Sequence, residues 1–369
     1  MPTTRTIRPS RRQILMGAAA AFAVPVLSFS SRAALAADLT KVTMTLPWVA
    51  NGSNYFPMLA NRLGFSEKNG IDLEVARGFG SVAAAQAVAN KQFDFGLVFG
   101  SGNMIAQARG LDLVILATLY YDATMGTAVL ADSPIRTPKD LEGKKLGTVP
   151  TSAESPFFGA FSQKAGIDKD KVELVQVDSK IIERALISGQ VDAITAVGTS
   201  SIPVIAAQGV DLRFMLWSEQ GVELYAAQIV TRRETYENDK ALCQKVVDTV
   251  LESFAYTLRE PEAALELFAE LVPEVGLTAN GLETARISQG ITQLVTLWPE
   301  ATDHALGYSD LSKMPAMYQS ILDLGTIENP QLPPVETLIT NEFIGNVKLS
   351  ADEWEKVRQN NAAYAKYFG

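Results

Sequence analysis

Cysteine and histidine are nearly missing: there is one of each in 369 residues. A single Cys excludes a disulfide framework. One Cys and one His exclude most metal sites built on those ligands. A Ser-His-Asp triad would have only His304, which sits in an ordinary Asp-His-Ala context. Long apolar runs are also lacking. The stretch 14–29 is short and broken by Pro25, so it does not read as a permanent transmembrane helix. Positive charge is scarce once the first 36 residues are set aside. They hold five of the 32 Lys and Arg (Arg5, Arg8, Arg11, Arg12, Arg32) and no acid, so the remainder carries 27 − 41 = −14. Such a charge disfavours nucleic acid and anionic membrane surfaces as partners. A cofactor motif is missing as well. Gly78-x-Gly80-x-x-Ala83 has the spacing of a dinucleotide fingerprint, but it follows the second strand rather than the first. No acid stands about 20 residues on in the required context. No cofactor and no metal are expected.

What is present begins with export signals. Ser10-Arg11-Arg12-Gln13-Ile14-Leu15 is a twin-arginine pattern, and Ala34-Leu35-Ala36 is an A-x-A cleavage site before Ala37. Residues 1–36 therefore read as a signal peptide, and the rest as a periplasmic chain. Its length suits two domains that share a cleft.

The mature chain contains one pattern twice. Asn90-Lys91-Gln92-Phe93-Asp94 opens the first copy and Ser188-Gly189-Gln190-Val191-Asp192 the second, 192 − 94 = 98 residues apart. Each copy has a small-residue helix before it and an apolar run of strand length after it. Each ends on Gly and a hydroxyl residue: Gly100-Ser101 and Gly198-Thr199. This is helix–turn–strand–loop, half of a βαβ unit. Two copies predict two similar α/β lobes, each with a Gly–hydroxyl loop at a strand's C-terminal end. Open α/β sheets bind ligands at that edge.

Further strands are predicted at 41–46, 71–76, 113–119, 127–131, 146–149, 172–177, 212–216 and 225–231. Helices are predicted at 56–63, at 156–166 with Ser155 as N-cap, and at 202–208. From residue 238 the apolar spacing is helical, at about 240–259, 262–271, 278–296, 311–324 and from 351.

The Gly80-Ser81 loop, Gln92-Phe93-Asp94-Phe95-Gly96, Asp140-Leu141-Glu142-Gly143-Lys144-Lys145 and Gly189-Gln190-Val191-Asp192-Ala193 together resemble the substrate-binding proteins of bacterial ABC importers. The type II family among them takes up thiamine pyrimidine precursors, taurine, alkanesulfonates, nitrate and aromatic acids. The resemblance covers residues 40–225. Trp48-Val49-Ala50-Asn51 is similar to the W-x-P-N opening of the pyrimidine-binding branch. It departs from that branch at Ala50, where Pro is usual, and at Asn54, where His is usual. The resemblance implies a two-lobed type II periplasmic binding protein fold with a ligand cleft between the lobes. Lobe 1 would be 38–126 plus 226–369, and lobe 2 would be 127–225. It also implies a monomer that delivers a small-molecule solute to an inner-membrane ABC permease and has no catalytic residues.

Within that frame the loops supply candidate ligand contacts. Trp48 offers a flat face to a planar solute. Asn51 and Asn54 serve either a ligand edge or the following turn. Gly80 and Ser81 start a helix, where free N–H groups favour an anion. Ser101, Asn103, Tyr120 and Tyr121 complete the first wall. The facing wall is read from Thr151-Ser152-Ala153-Glu154-Ser155 and Gly198-Thr199-Ser200, with Ser152, Glu154, Gly198 and Thr199 as contacts. Trp217 and Glu219 are candidates of the same type. These loops hold no Arg, and Arg77 is the only one close by. Tight carboxylate binders often use a bidentate Arg. An anion would therefore rest on backbone N–H groups, or the ligand is largely neutral and flat. The favoured solute is a planar aromatic or heteroaromatic compound of pyrimidine type. A small sulfonate, carboxylate or nitrate is the alternative, then a periplasmic sensor input, then an enzyme on the same fold.

Overall fold

The protein is described by a computed structural model, over residues 39–150, 152–324 and 327–368. The signal peptide read at 1–36 and the wall residue Thr151 lie outside these residues.

Among the described residues, ten strands build two five-stranded sheets of the same design. β1 (Thr40–Thr45), β2 (Ile71–Ala76), β3 (Phe95–Phe99), β4 (Leu113–Thr118) and β10 (Ala227–Arg232) lie in the order β2-β1-β3-β10-β4. β5 (Met125–Leu130), β6 (Lys145–Thr148), β7 (Glu173–Gln176), β8 (Ala193–Val197) and β9 (Leu212–Leu216) lie in the order β7-β6-β8-β5-β9. In each sheet the fourth place is an antiparallel strand next to a crossing of the chain: β10 in the first and β5 in the second. The two crossings, at 119–124 and 217–226, bond to each other. Ala226 N–H donates to Tyr120 O and Ala123 N–H to Leu224 O, each at 2.9 Å.

Helices α1 (Phe65–Lys68), α2 (Ser81–Ala89), α3 (Gly100–Ala108), α4 (Phe158–Lys164), α5 (Ile182–Ile187) and α6 (Gly198–Ala206) link the strands. Every residue of β3 is buried, as suits a central strand covered on both faces. The duplicated motif has a structural reason. Asp94 Oδ2 accepts the Thr43 amide (2.9 Å), and Asp192 Oδ2 accepts the Lys145 amide (2.8 Å). Each Asp thus pins its strand to the neighbouring parallel one. The Gly and hydroxyl residues that end the motif form no loop. Both strands run straight into a helix whose first residue is that Gly. Gly100 N–H then donates to Ala226 O, and Gly198 N–H to Thr124 O, each at 2.7 Å. For the same reason α6 starts at Gly198 rather than near 202. The expected cap at Ser155 is not made; a 3-10 turn, Ser155–Phe157, precedes α4.

The C-terminal half adds α7 (Arg233–Asn238), α8 (Lys240–Arg259), α9 (Pro261–Leu271), α10 (Pro273–Leu277), α11 (Gly281–Leu294), α12 (Met314–Leu322) and α13 (Ala351–Asn361). α8 buries Val246, Val250 and Phe254 in the larger core, which holds the first sheet. α11 reaches both halves. Its Ile287 and Ile291 join Ile202 and Phe214 in the core of the second sheet. Its Gln289 accepts the Tyr55 hydroxyl, from the loop region after β1. Gly52 lies so close to α11 that a Cβ there would meet Ala285 O at 2.0 Å.

Candidate functional site

Between the two sheets lies a cleft of about 490 Å³, within the range of small-molecule sites. Its first wall is built from the loop after β1, the loop before α2, and the starts of α2 and α3. The loop after β1 is stiffened from within. Asn54 Oδ1 accepts the Asn51 amide (2.9 Å), and Asn54 Nδ2 donates to Val49 O (3.1 Å). Asn51 Oδ1 accepts from the Ser53 amide (2.9 Å) and hydroxyl (2.7 Å). Both asparagines line the cleft, and both spend these groups on the turn. This loop bonds to the next: Gly78 N–H donates to Trp48 O (3.0 Å), and Gly80 N–H to Pro47 O (2.9 Å). The approach is tight, since a Cβ on Gly78 would lie 1.9 Å from Leu46 O. Trp48 and Phe79 therefore stand on adjoining loops at the cleft, 41% and 73% exposed.

Gly80, at φ +118°, starts α2, and Ser81, Val82 and Ala83 of its first turn all line the cleft. Their N–H groups have no partner inside the helix. Ser81 does not cap its own helix; its hydroxyl accepts the Phe99 amide (3.2 Å). The starts of α2 and α3 touch, because Gly102 leaves room where a Cβ would sit 2.5 Å from Ser81 Cβ. Ser101 lines the cleft and is 1% exposed, and its hydroxyl has no hydrogen-bond partner.

The second wall carries two carboxyl groups. Glu154 Oε1 accepts from the Ser152 hydroxyl and from Thr195 Oγ1 (3.1 Å). Glu183, in the first turn of α5, accepts from the Ser201 hydroxyl (2.8 Å). Burial pushes the Glu154 pKa above the usual carboxylate range; hydroxyl donors offset part of this, and the charge of Glu183 adds to it. Burial also raises Glu183, again partly offset by its hydroxyl partner. A raised folded-state pKa means the folded chain keeps protons that the unfolded chain has released. Stability in the empty protein should therefore fall as pH rises from about 4.5, by at most about 1.4 kcal/mol per pH unit for each group. Carboxylates held low, such as Glu262 beside Arg286, act below that window and in the opposite sense. Glu154→Gln should flatten the neutral limb in thermal unfolding measured at pH 5 to 8. An unchanged slope would mean that Glu154 is ionised at no cost.

Eight of the residues singled out by sequence line this cleft: Trp48, Asn51, Asn54, Gly80, Ser81, Ser101, Ser152 and Glu154. Six do not, and each is used elsewhere. Asn103 is fully buried and bonds Gln107 (3.2 Å). Tyr120 is fully buried and donates to Ser53 O, holding the loop from behind. Tyr121 donates to Tyr308 O (2.9 Å). Gly198 and Thr199 give their amides to Thr124. Glu219 lies exposed in a short 3-10 turn, Ser218–Gln220, apart from the cleft lining. Trp217, beside it, is a core residue with no exposed surface. His304 stacks on Tyr308 at 4.3 Å and does not line the cleft.

Sequence reasoning missed Phe79, Glu183, Thr195, Ser201 and Arg109, all of which line the cleft. The expectation that no Arg but Arg77 stands nearby is corrected by Arg109, which follows directly on α3. It is distant in sequence from the loops but follows the helix that lines them. Glu183 did carry a signal. At the repeat offset it corresponds to Ala85 (183 − 98), so the second copy has an acid where the first has a small apolar residue.

Comparison with known proteins agrees with this architecture. The model of the NMT1/THI5-like family matches residues 53–264. The formylaminopyrimidine-binding protein of Halalkalibacterium halodurans is 22% identical over 233 residues, 62% of this chain and 70% of that one. The riboflavin-binding protein RibY of Chloroflexus aurantiacus is 21% identical over 310 residues, 83% of this chain and 86% of that one. The 4-amino-5-hydroxymethyl-2-methylpyrimidine phosphate synthase of Legionella pneumophila is 22% identical over 250 residues, 64% of this chain and 75% of that one. Among solved structures, the periplasmic aliphatic sulphonate binding protein SsuA of Escherichia coli superposes with TM-score 0.54 at 17% identity, covering 89% of this chain and 92% of that one. That likeness is one of fold: two mixed α/β sheets around a cleft.

Proposed function

Because the chain belongs to the NMT1/THI5-like family, we propose that it is an exported solute-binding protein that captures a planar heteroaromatic compound of pyrimidine type. The cleft between the lobes is the site, and the protein hands its ligand to an inner-membrane ABC permease. The observation that carries this reading is Trp48, whose half-exposed ring opens into a cleft framed by both sheets. An aromatic face suits a flat ring, and the polar groups around it fix orientation. Relatives that bind a formylaminopyrimidine or riboflavin, both flat heteroaromatics, support it.

In this reading residues 38–126 and 226–369 form one lobe and 127–225 the other, with α11 bracing both. The two bonded crossings are the hinge. A ligand that contacts both walls favours the closed state by its differential affinity. The twin-arginine start would export the chain, and the protein would act as a monomer without catalysis. A small sulfonate or carboxylate is the second reading. The open first turn of α2 and the unpartnered Ser101 hydroxyl favour it.

Thermal unfolding against pyrimidines, flavin precursors, aromatic acids, sulfonates and nitrate tests the proposal. A bound compound at 100 times its Kd should add about 2.7 kcal/mol. Stabilisation by heteroaromatics is the expected result. Stabilisation by sulfonates alone would transfer the assignment to the second reading. Turnover of a bound compound would make the protein an enzyme.

A further inference from the structure

Helix α11 is packed into both halves of the molecule at once. Ala285 joins Tyr55 and Phe268 in a small core behind the loop after β1. Gln289 accepts the Tyr55 hydroxyl and donates through Nε2 to Pro261 O (3.2 Å). Gln293 Nε2 donates to Thr257 O of α8 (2.8 Å). Another face sends Ile287 and Ile291 into the core of the second sheet. With about 3.6 residues per turn, Ser288 falls between these two faces. It is 2% exposed and touches both walls from behind. Its hydroxyl donates to Thr199 O (2.7 Å), and its Cβ would lie 2.8 Å from a Cβ on Gly52. Gly52 stands between Asn51 and Ser53, and Thr199 precedes Ser200 and Ser201; all four of these neighbours line the cleft. Ser288 does not.

Two further contacts fasten the helix. Val295, at its C-terminal end, accepts the amide of Tyr121 in the first crossing (3.0 Å). On the other side, the 3-10 turn Ala362–Tyr367 lies across Gly290, where a Cβ would meet the Tyr364 ring at 2.1 Å. Phe368 then pairs with Phe214 of β9, with the rings edge to face at 6.1 Å. Close-packed faces do not slide continuously over one another. To part the walls, α11 would have to leave one core or the other. The bond from Ser288 to Thr199 would break as well, inside the protein, where such a loss is costly.

We propose that α11 is a strut and Ser288 its positioning residue: together they fix the spacing of the two walls without a solute. The inference goes beyond the function proposed above, because it concerns the width of the cleft and not what fills it. Two crossings alone would let the halves swing apart. With the strut in place, the empty protein rests at the spacing that a ligand touching both walls would favour. Gly52 belongs to the same device, since only a residue without a Cβ lets the first wall's loop lie against α11.

The test is a distance between two spin labels in the solute-free protein, measured by pulsed electron–electron resonance. Glu74→Cys on β2 and Glu173→Cys on β7 place the labels on exposed edge positions, one in each sheet. The native Cys243 is buried and can stay. The unaltered protein should give one narrow distance. Ser288→Leu, whose side chain has no room between Gly52 and Thr199, should shift that distance to a longer value. Ser288→Ala should raise the share of longer distances about 5-fold, the weight of one buried hydrogen bond. A broad or two-peaked distribution in the unaltered protein would overturn the strut. So would an unchanged distance in folded Ser288→Leu, or, if that variant does not fold, an unchanged distribution in Ser288→Ala. No solute enters the measurement. Its failure would leave the heteroaromatic reading standing, and a solute panel without a binder would leave the strut standing.

Discussion

Trp217→Ala should destabilise the protein by about 3–5 kcal/mol, the usual cost of truncating a buried large aromatic side chain. Trp217 has no exposed surface and stacks on Phe161 at 4.7 Å and 15°. Its Nε1–H donates to Thr127 Oγ1 (3.0 Å), and its amide to Met125 O (2.9 Å). The change would open a cavity where the second crossing leaves β9 and strip a buried hydroxyl of its donor. Urea unfolding would show the loss as a lower midpoint. Trp217→Phe should fall between the unaltered protein and Trp217→Ala, because it keeps part of the ring packing and loses the N–H bond. Ligand-induced stabilisation, measured as an increment, should survive in both variants, since Trp217 does not line the cleft. A Trp217→Ala protein of full stability that no longer responds to ligand would reverse this account.

Trp48→Ala should do the opposite. The ring is 41% exposed, so little packing is lost and stability should change by less than about 1 kcal/mol. Affinity for a planar ligand should fall about 10- to 100-fold, the range expected when one stacking face is removed. Phe79 stays in place in this variant and sets the residual affinity. Its ring already carries the Arg77 guanidinium at 4.6 Å. Unchanged affinity in Trp48→Ala, with the variant folded, would remove the stacking face from the site and leave the second wall to carry recognition.

The contrast between these two tryptophans measures how far the sequence could be read. Both sit in short segments just after a predicted strand, with polar residues within three positions. Nothing in the local pattern separates them. Trp48 is left in the open because its loop is held by Asn51 and Asn54 and bonded to the Gly78–Gly80 turn. Trp217 is swallowed because the chain after β9 turns back along β5 and beneath α4. Tyr120 and Tyr121 mislead in the same way. They lie in the first crossing, where each hydroxyl finds a backbone carbonyl and each ring is buried in the core.

What the sequence determined by itself was the repeated unit and with it the architecture. An Asp that pins one parallel strand to the next, an apolar run and a Gly that admits close backbone contact are local requirements, and they leave a local trace twice. The position of Trp48, the open start of α2 at Gly80 and Ser81, and Glu154 were legible for the same reason, since strand ends and helix starts are marked by turn-forming residues. Only the tertiary structure decided which polar groups face the cleft and which serve the fold. Glu183 and Arg109 belong to helices whose facing is set by packing between elements far apart in the chain. Asn103 and Thr199 look equally available in sequence, yet they are buried beneath β10 and α11. Side-chain facing depends on long-range contacts, and those contacts do not exist until the two halves have closed around their shared crossings.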